Sequence, residues 1–266
     1  MEQQPGRQKV LITGAYGLIG NLVYARLAAQ PARYAAYGMA RHTYGSARTA
    51  ALPLCEIAPE RLRLADVTDF AAVCAATAGM DAVVHMAADP DGHAGWESVL
   101  NSNIVGTYHV LEASHLAGVK RVIFASTNQV VFGYRADEPY RSLLAGAGGD
   151  APEVLTPIDH TQPTRPLNYY ACSKVFGEAL AHMYAFTHGM SCLCLRIGWV
   201  TAEDRPAHPS GYPLWCSQRD IVQIVERCLE APASLRFDVF FGHSANHPNL
   251  VDIQHARDVL GYAPQD

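Results

Sequence analysis

The stretch that most constrains the fold is Lys9–Gly20, which reads KVLITGAYGLIG. Its apolar, partly β-branched beginning is typical of a buried strand, and apolar residues recur at helical spacing after it. Gly14, Gly17 and Gly20 lie at the junction of the two patterns. Such glycines allow a tight turn, let a pyrophosphate approach the backbone and aim a helix N-terminus at the anion. The stretch predicts a dinucleotide-binding turn. An ordinary strand–helix turn is the alternative, because spaced glycines also mark plain turns.

The length and composition are those of a globular protein with a sizeable core. The chain has 266 residues, of which 49% are hydrophobic and 17% charged, and its formal net charge is −5. Lys and Arg are scattered, so no basic stripe favours nucleic acid. No apolar run is long enough for a signal peptide or a membrane span. Seven cysteines without a CxxC pair favour reduced thiols. We therefore expect a cytoplasmic protein without nucleic-acid or membrane partners.

Short apolar runs alternate with helical patterns along most of the chain. The predicted strands are 10–12, 34–40, 61–65, 81–86, 121–126, 191–197 and 237–241, and the later predicted helices are 70–78, 96–117, 170–188, 215–231 and 253–260. Alternation of this kind indicates a parallel sheet covered on both faces, which right-handed crossovers close as a doubly wound sheet. The expected fold class is α/β, a Rossmann-type doubly wound parallel sheet with a small C-terminal substrate lobe.

Two long segments rich in Gly and Pro interrupt this alternation, at 134–166 and 201–213. Connections of such length are usually lids or disordered insertions. Both follow strands, and ligands of open α/β sheets bind beyond the carboxyl ends of the strands. We expect both segments to cover a substrate. The chain then divides into a Rossmann domain over 1–200 and an integral C-terminal lobe over 201–266.

A second motif, Tyr170-Ala-Cys-Ser-Lys174, opens a predicted helix. Spacing of four residues places the phenol and the ammonium on one helix face. A free tyrosine has a pKa of about 10, which is too high for a base at neutral pH. A nearby ammonium and an oxidised nicotinamide would lower that pKa toward the working range. Tyr169 is followed four residues later by Ser173, so Tyr170 is the predicted base. A tyrosine with a solvated lysine is the alternative.

A third motif, Ser126-Thr127-Asn128, lies at the end of the fifth predicted strand. A hydroxyl at such a position can hydrogen-bond the substrate oxygen that gains or loses a proton. The alternative is a polar strand end that bonds only its own backbone.

Taken together, these motifs resemble the extended short-chain dehydrogenase/reductase superfamily, in its NAD-dependent epimerase/dehydratase family, which shares the GxxGxxG spacing. The matching segments are FASTNQVVFG from Phe124, HMAAD from His85, NSNIVGT from Asn101, RIGWV from Arg196 and LGYAP from Leu260. Within that family, the spacing and the short C-terminal part are most similar to the uronate dehydrogenase group and its sugar-dehydrogenase relatives. The resemblance implies hydride transfer between nicotinamide and a sugar carbon, and a homodimer.

The resemblance also implies roles for individual residues. Tyr170 would be the general acid or base, Lys174 would lower its pKa and hold the nicotinamide ribose, and Thr127 would polarise the substrate oxygen. The implied cofactor-binding residues are Gly14, Tyr16, Gly17, Leu18, Ile19, Gly20, Arg41, Asp66, Val67, Met86, Ala87, Ala88, Asn103, Ser126, Tyr170, Lys174 and Ile197. The implied substrate residues are Asp89, Asn128, Gln129 and Trp199.

Two departures from the family pattern affect the expected ligands. NAD-dependent members usually carry an acidic residue after the second strand, where this chain has Arg41. A guanidinium suits a 2′-phosphate, so NAD and NADP both stay open. Uronate dehydrogenases carry an arginine for the sugar carboxylate where this chain has Ser210 or Gly211, and a small residue where it has Trp199. These changes weigh against a uronate, and a neutral or phosphorylated sugar fits no worse.

Other functions compete with this interpretation. The first alternative is a nucleotide-sugar 4-epimerase or dehydratase that retains its NAD. The short region after Ile197 argues against it, because few residues there are available to bind a nucleotide. A non-catalytic NADP-binding sensor is the second, and the retention of Thr127, Tyr170 and Lys174 argues against it.

Twelve histidines raise the question of a metal. His243 and His247 are four apart, but Asn246 and Pro248 beside His247 argue against a helical pair, and no cluster with Glu or Cys has ligand spacing. We expect no metal.

Overall fold

The computed structural model describes residues 7–50, 52–145, 156–206 and 208–266. Seven parallel strands form one sheet in the order β3-β2-β1-β4-β5-β6-β7. The strands are β1 (Gln8–Thr13), β2 (Tyr34–Ala40), β3 (Leu62–Leu64), β4 (Ala82–His85), β5 (Arg121–Thr127), β6 (Ser191–Ile197) and β7 (Phe237–Gly242). The order reverses direction between β1 and β4, and in open α/β sheets the ligand crevice opens at such a switch point.

Helices connect the strands. They are α1 (Leu18–Ala28), α2 (Phe70–Thr77), α3 (Trp96–Ser98), α4 (Gly106–Leu116), α5 (Tyr140–Leu144), α6 (Tyr169–His188), α7 (Gln218–Glu230) and α8 (Gln254–Leu260). A π-helical stretch, Val99–Val105, runs directly from α3 into α4. Short 3₁₀ helices lie at Ala47–Thr49, Pro59–Arg61, Asn128–Ala136 and Pro209–Leu214.

The central strands are apolar along their whole length because both of their faces are covered. Every residue of β4, β5 and β6 is buried. In β1, Val10 and Ile12 face one core with Leu27 of α1, whereas Leu11 faces the other core with Val110 of α4. The expected doubly wound α/β fold is confirmed. Among the described residues, no helix combines the length and apolar character that a membrane crossing needs.

The first long segment differs from the expected loop. A 3₁₀ helix runs directly on from β5 as far as Ala136, and α5 follows. Gly146, Gly148, Gly149 and Pro152, on which part of the loop prediction rested, lie outside the described residues. Farther on, the Ile158 amide donates to the Leu250 carbonyl at 3.0 Å. This part of the segment therefore packs on the C-terminal region.

The C-terminal region begins its helix later than predicted. The helix expected from residue 215 starts at Gln218, because Ser217 caps it by accepting a hydrogen bond from the Asp220 amide at 3.1 Å. A third apolar cluster includes Val130, Ile158 and Phe241 and joins the segments that follow β5, β6 and β7. The division of the chain at residue 200 stays a prediction.

Candidate functional site

The glycine turn after β1 has the shape that a pyrophosphate needs. Gly14 has a φ of +67°, and a Cβ on it would lie 2.9 Å from the Ala87 amide nitrogen. A Cβ on Gly20 would lie 2.1 Å from the Gly14 carbonyl oxygen. Gly17 is the N-cap residue of α1 and offers no side chain to its amides. The turn therefore excludes side chains and leaves the first N–H groups of α1 available to an anion.

A chain of neutral hydrogen bonds fixes the strand ends beneath this turn. The Ala87 amide donates to Thr13 Oγ1 at 3.1 Å. The Thr13 hydroxyl can then donate to His85 Nδ1, at 2.8 Å, which leaves His85 Nε2–H to donate to Thr107 Oγ1, at 3.2 Å. Burial, together with the charge of Lys174, lowers the pKa of His85 to about 3. The imidazole is therefore neutral at pH 7, and its tautomer follows from its partners.

Two predicted cofactor-binding residues, Arg41 and Asp66, meet at one edge of the sheet. Arg41 follows β2, Asp66 follows β3, and Arg41 Nη1 lies 3.9 Å from Asp66 Oδ2 with both side chains exposed. Asp66 Oδ1 accepts from the Thr68 amide and hydroxyl, each at 2.9 Å. A cleft of about 560 Å³ opens at this edge and is lined by Tyr16, Thr43, Leu54, Glu56, Ile57, Pro59, Leu62 and Leu64.

One wall of that cleft is attached to α1. Asn21 Oδ1 accepts from the Cys55 amide at 2.8 Å, and Asn21 Nδ2 donates to the Cys55 carbonyl at 3.0 Å. Tyr16 Oη accepts from the Ile57 amide at 3.3 Å. The segment between β2 and β3 is therefore held against the helix that begins at the glycine turn.

The structure brings Tyr170 and Lys174 together in the first turns of α6. Asn168 caps this helix by accepting from the Ala171 amide at 2.7 Å. Lys174 Nζ lies 5.7 Å from the centre of the Tyr170 ring and 5.0 Å from that of Phe124. The tyrosine is 9% exposed and the lysine 3%. Four-residue spacing on one helix face accounts for the pairing.

The pKa values of this pair differ from the sequence-based expectation. Burial raises the pKa of Tyr170, while a hydrogen bond with Thr127 and the charge of Arg48 act to lower it. Burial also lowers the pKa of Lys174 to about 7. Lys174 by itself therefore does not bring the phenol toward a neutral pKa, because burial penalises the charged form of both groups.

Thr127 and Ser126 are neighbours in β5 but have different partners. Thr127 Oγ1 accepts from the Gln129 amide at 3.3 Å, and the Thr127 hydroxyl acts to lower the pKa of Tyr170. Ser126 Oγ donates to Glu178 Oε1 at 2.6 Å. Glu178 also accepts from Arg196 Nε and Nη2, each at 2.9 Å, in a pair that is almost fully buried. The Ser126 hydroxyl thus belongs to an internal ionic network.

Asn103, a predicted cofactor residue, holds the chain after β4. Its Oδ1 accepts from the Asp89 amide at 2.7 Å, and its Nδ2 donates to the Asp89 carbonyl at 3.0 Å and to Ser173 Oγ at 3.2 Å. The Asp89 carboxylate in turn accepts from Ser98. These bonds link the π-helical stretch to α6 and to the rim of the site.

The remaining predicted substrate residues differ in exposure. Asn128 is fully buried, and its Nδ2 lies 3.4 Å from His243 Nε2. Gln129 Oε1 accepts from Asn168 Nδ2 at 3.0 Å. Trp199 is 39% exposed and lies two residues after the end of β6.

Six further predicted cofactor residues line the turn and the strand ends through apolar or backbone atoms. Val67 and Ile197 are buried, whereas Leu18, Ile19, Met86 and Ala88 are half-buried. Ile197 pairs in register with Thr127, so the end of β6 lies beside the end of β5.

Sequence reasoning missed several residues of the site. Glu178 lies four residues after Lys174 on α6, so helical spacing was a usable signal for it. Thr13 and His85 carry no local signal, because they meet only through the pairing of β1 with β4. Arg48, whose charge acts on Tyr170, lies in a short 3₁₀ helix that no pattern relates to α6.

Comparisons with known proteins agree with this geometry. Residues 10–213 match the model of the NAD dependent epimerase/dehydratase family. The chain is 37% identical over 204 residues to the NAD-dependent glucose-6-phosphate dehydrogenase of Haloferax volcanii, covering 76% of this chain and 75% of that protein. It is 32% identical over 266 aligned residues to the uronate dehydrogenase of Pseudomonas putida, covering 97% and 84%.

Solved structures give the same result. The glucuronic acid dehydrogenase from Chromohalobacter salexigens superimposes with a TM-score of 0.77 at 26% identity, covering 97% of this chain and 85% of that one. A mutant uronate dehydrogenase from Agrobacterium tumefaciens, complexed with NAD, superimposes with a TM-score of 0.75 at 28% identity, covering 98% and 86%. These similar proteins are dehydrogenases of sugars and sugar acids.

Proposed function

We propose that this chain, which belongs to the NAD dependent epimerase/dehydratase family, is a dehydrogenase of a sugar or sugar derivative whose reacting groups are Thr127, Tyr170 and Lys174. An oxidoreductase is what its sugar-dehydrogenase relatives support. The observation that carries the finer proposal is the burial of Tyr170 and Lys174 together, with the Thr127 hydroxyl near enough to act on the pKa of the phenol.

The protein's own residues fit a nicotinamide dinucleotide. The space that a Cβ would fill at Gly14 and Gly20, with the uncapped start of α1, suits a pyrophosphate. Lys174 Nζ is desolvated and suits the hydroxyls of a ribose. When bound, such a cofactor supplies the two-electron redox chemistry that the twenty amino acids lack.

Thr127 and Tyr170 then act on the substrate in different ways. Thr127 Oγ1 holds the substrate oxygen by a hydrogen bond, and Tyr170 Oη takes the proton from that oxygen during oxidation. The raised pKa of Tyr170 keeps the phenol neutral in the protein alone. Oxygen ligands around Lys174 would favour its charged form, and a charged Lys174 would lower the pKa of Tyr170. Cofactor binding would therefore lower the pKa of Tyr170 and make it an effective base.

The test is the Tyr170→Phe variant, assayed at the absorbance band of reduced nicotinamide. NAD and NADP are each crossed with aldoses, uronates, sugar phosphates and UDP-sugars, which also identifies the substrate class. We expect turnover to fall by about 10²–10⁴-fold, because the proton acceptor is lost, while cofactor binding persists. Tyr169→Phe is the matched control, since Tyr169 is 56% exposed, and it should keep full activity. Normal turnover in Tyr170→Phe would refute the proposal.

We also propose that Arg41 lets the site accept NADP beside NAD. Its guanidinium is exposed and only loosely paired with Asp66, so it is free to contact a 2′-phosphate. Arg41→Ala should lower kcat/KM for NADP about tenfold, the loss of one charge-assisted hydrogen bond, and leave the value for NAD unchanged. His42→Ala serves as the control. An equal loss with both cofactors would exclude this role.

A homodimer is the third part of the proposal. Large apolar side chains are exposed on two neighbouring helices, Tyr108 and Leu116 on α4 and Phe176, Met183 and Phe186 on α6. An exposed apolar patch of this kind is typical of a protein interface. Sedimentation velocity measures the mass directly, and a monomer at micromolar concentration would contradict this part.

A further inference from the structure

Three side chains from separate segments meet at the β7 edge of the sheet. They are His160, which follows α5 in the chain, Asp238 on β7 and His255 on α8. One ring nitrogen of each histidine and one carboxylate oxygen all lie within 4.8 Å of one another. We propose that this cluster binds a divalent transition-metal ion of the zinc class. The site is separate from the redox site and does not depend on its assignment.

The cluster is already ordered by its neighbours. His255 Nε2 lies 2.9 Å from Asp238 Oδ1, and the same oxygen accepts from the Val239 amide at 2.8 Å. The His255 ring is stacked on His160, with centroids 3.7 Å apart, and on Phe240, at 5.1 Å. Two imidazoles and one carboxylate form a donor set that zinc commonly takes in proteins.

One atom of the cluster lacks a partner. His160 Nδ1 is buried and makes no hydrogen bond to any described residue. A buried polar atom without a partner carries a free-energy cost, so it is usually paired with protein, water or an ion. The unpaired nitrogen distinguishes this cluster from a hydrogen-bonded histidine–aspartate pair that is complete in itself.

The charges around the cluster suit a dication. Burial and the neighbouring His255 lower the pKa of His160, and a neutral ring is what a metal requires. Asp238 and Asp159 supply negative charge near His160. Arg196 is the cation that faces it, and both of its charged contacts go to Glu178.

Metal binding requires a small rearrangement. Zn–N distances of about 2.0–2.1 Å place two ligating nitrogens about 3.4 Å apart, so the stacked rings must tilt until their lone pairs converge. The hydrogen bond between His255 and Asp238 is exchanged for bonds to the ion. Three protein ligands leave one position for water. Asp238 and His255 have side chains 19% and 24% exposed, which gives the ion a path of entry.

An ion at this place would brace the chain that leads into α6. Ile158, two residues before His160, bonds the C-terminal region, and the Arg165 amide donates to the Val130 carbonyl at 2.7 Å. Ligands from three distant segments would close loops that are open in the unfolded chain, which stabilises the folded state. The unfolding temperature is therefore a direct readout.

The experiment uses the full chain after treatment with a chelator and desalting. ZnCl₂ is titrated by calorimetry, bound zinc is counted by metal analysis, and Tm is recorded with and without zinc. We expect one zinc per chain and a higher Tm. His255→Gln and Asp238→Asn should each weaken zinc binding at least tenfold, since even outer-shell partners of ligands contribute about 10–100-fold, and should abolish the rise in Tm.

The matched control is His188→Ala. His188 lies against His115, with ring centroids 4.1 Å apart, but within the described residues that pair belongs to no group of three ligands. The His188→Ala variant should bind zinc as the unaltered protein does, and so should Tyr170→Phe.

Two results would overturn the proposal. One is the absence of stoichiometric zinc binding by the unaltered protein. The other is equal binding by His255→Gln, which would assign the ion to other surface groups such as the exposed Cys172. Circular dichroism checks the fold of each variant. If His255→Gln does not fold, His160→Gln, in an irregular segment, replaces it with the same expected loss.

Discussion

Two buried polar networks lie behind the site, and they differ in charge. Beneath the glycine turn, Thr13, His85 and Thr107 form a neutral chain that ties β1 to β4 and α4. Near Tyr170 and Lys174, Glu178 and Arg196 form an ion pair that ties α6 to β6 and receives a hydrogen bond from β5. Both fix strand ends at the ligand crevice, but they respond to different perturbations.

The difference follows from the charged groups that lie beside each network. Lys174 lies close enough to His85 for its charge to lower the pKa of that ring. A protonated His85 would place a second cation beside Lys174, so a neutral chain is the compatible choice there. The ion pair holds its charges on two partners that compensate each other. Such a pair stabilises the folded state little more than apolar residues would, but removing one partner strongly destabilises it, because the other charge stays buried alone.

The largest expected effect comes from breaking the ion pair. Glu178→Leu leaves the Arg196 guanidinium buried without a counter-charge and should lower the free energy of unfolding by about 3–5 kcal/mol. Urea denaturation followed by circular dichroism measures it.

A double variant sharpens this result. Glu178→Leu with Arg196→Met replaces both charges by apolar groups and should recover most of the lost stability, since apolar replacements of buried pairs are often neutral. Glu138→Gln is the surface control, because the Glu138–Arg141 pair is exposed. A double variant no more stable than Glu178→Leu would mean that lost packing, and not the unpaired charge, causes the effect.

The neutral network should respond to acid. The pKa of His85 is about 3 in the folded state and 6.5 in its unperturbed state. The unfolded chain therefore binds the extra proton as the pH falls from 6.5 toward 3, and stability falls with it. Between pH 7 and pH 5 the contribution of His85 amounts to about 2 kcal/mol, at about 1.4 kcal/mol per pH unit below 6.5.

Comparison with His85→Gln isolates this contribution. The variant is less stable at pH 7 but should lose about 2 kcal/mol less between pH 7 and pH 5 than the unaltered protein. Urea midpoints at several pH values give both curves. Parallel curves would show that His85 does not titrate on unfolding.

The smallest effect should come from removing one hydroxyl of the neutral chain. Thr107→Val keeps the shape of the side chain but leaves His85 Nε2–H without its acceptor, which costs about 1–3 kcal/mol. We expect the lower end of this range, since the bond is 3.2 Å long. Ser102→Ala, on the neighbouring π-helical stretch, is the control. A loss as large as that of Glu178→Leu would remove the distinction between the two networks.

The sequence predicts those parts of the molecule that local spacing encodes. The glycine turn and the alternation of strands and helices specify the sheet, and the four-residue interval brings Tyr170 to Lys174. The networks escape prediction because their members are distant in the chain. Thr13 and His85 are 72 residues apart, and Ser126 and Glu178 are 52. Only the pairing of strands and the docking of α6 bring them together.

Asn128 illustrates a second limit. The chain enters a 3₁₀ helix at this residue and turns the amide inward to His243, an orientation that its position after the fifth strand does not reveal. The cluster of His160, Asp238 and His255 was not predicted for a different reason, since its residues come from three segments with no shared periodicity. Backbone geometry immediately after a strand and long-range assembly are both invisible to spacing.

The two hydrogen bonds between Asn21 and Cys55 affect how a nucleotide would bind. They divide the chain between β2 and β3 into a loop and a short connection to β3, so the wall of the cleft near Arg41 and Asp66 is held in place before any ligand arrives. The entropy of closing that loop is lost on folding and not on binding. A cofactor entering the cleft therefore meets a preorganised surface, and less of its contact energy is spent on ordering the chain.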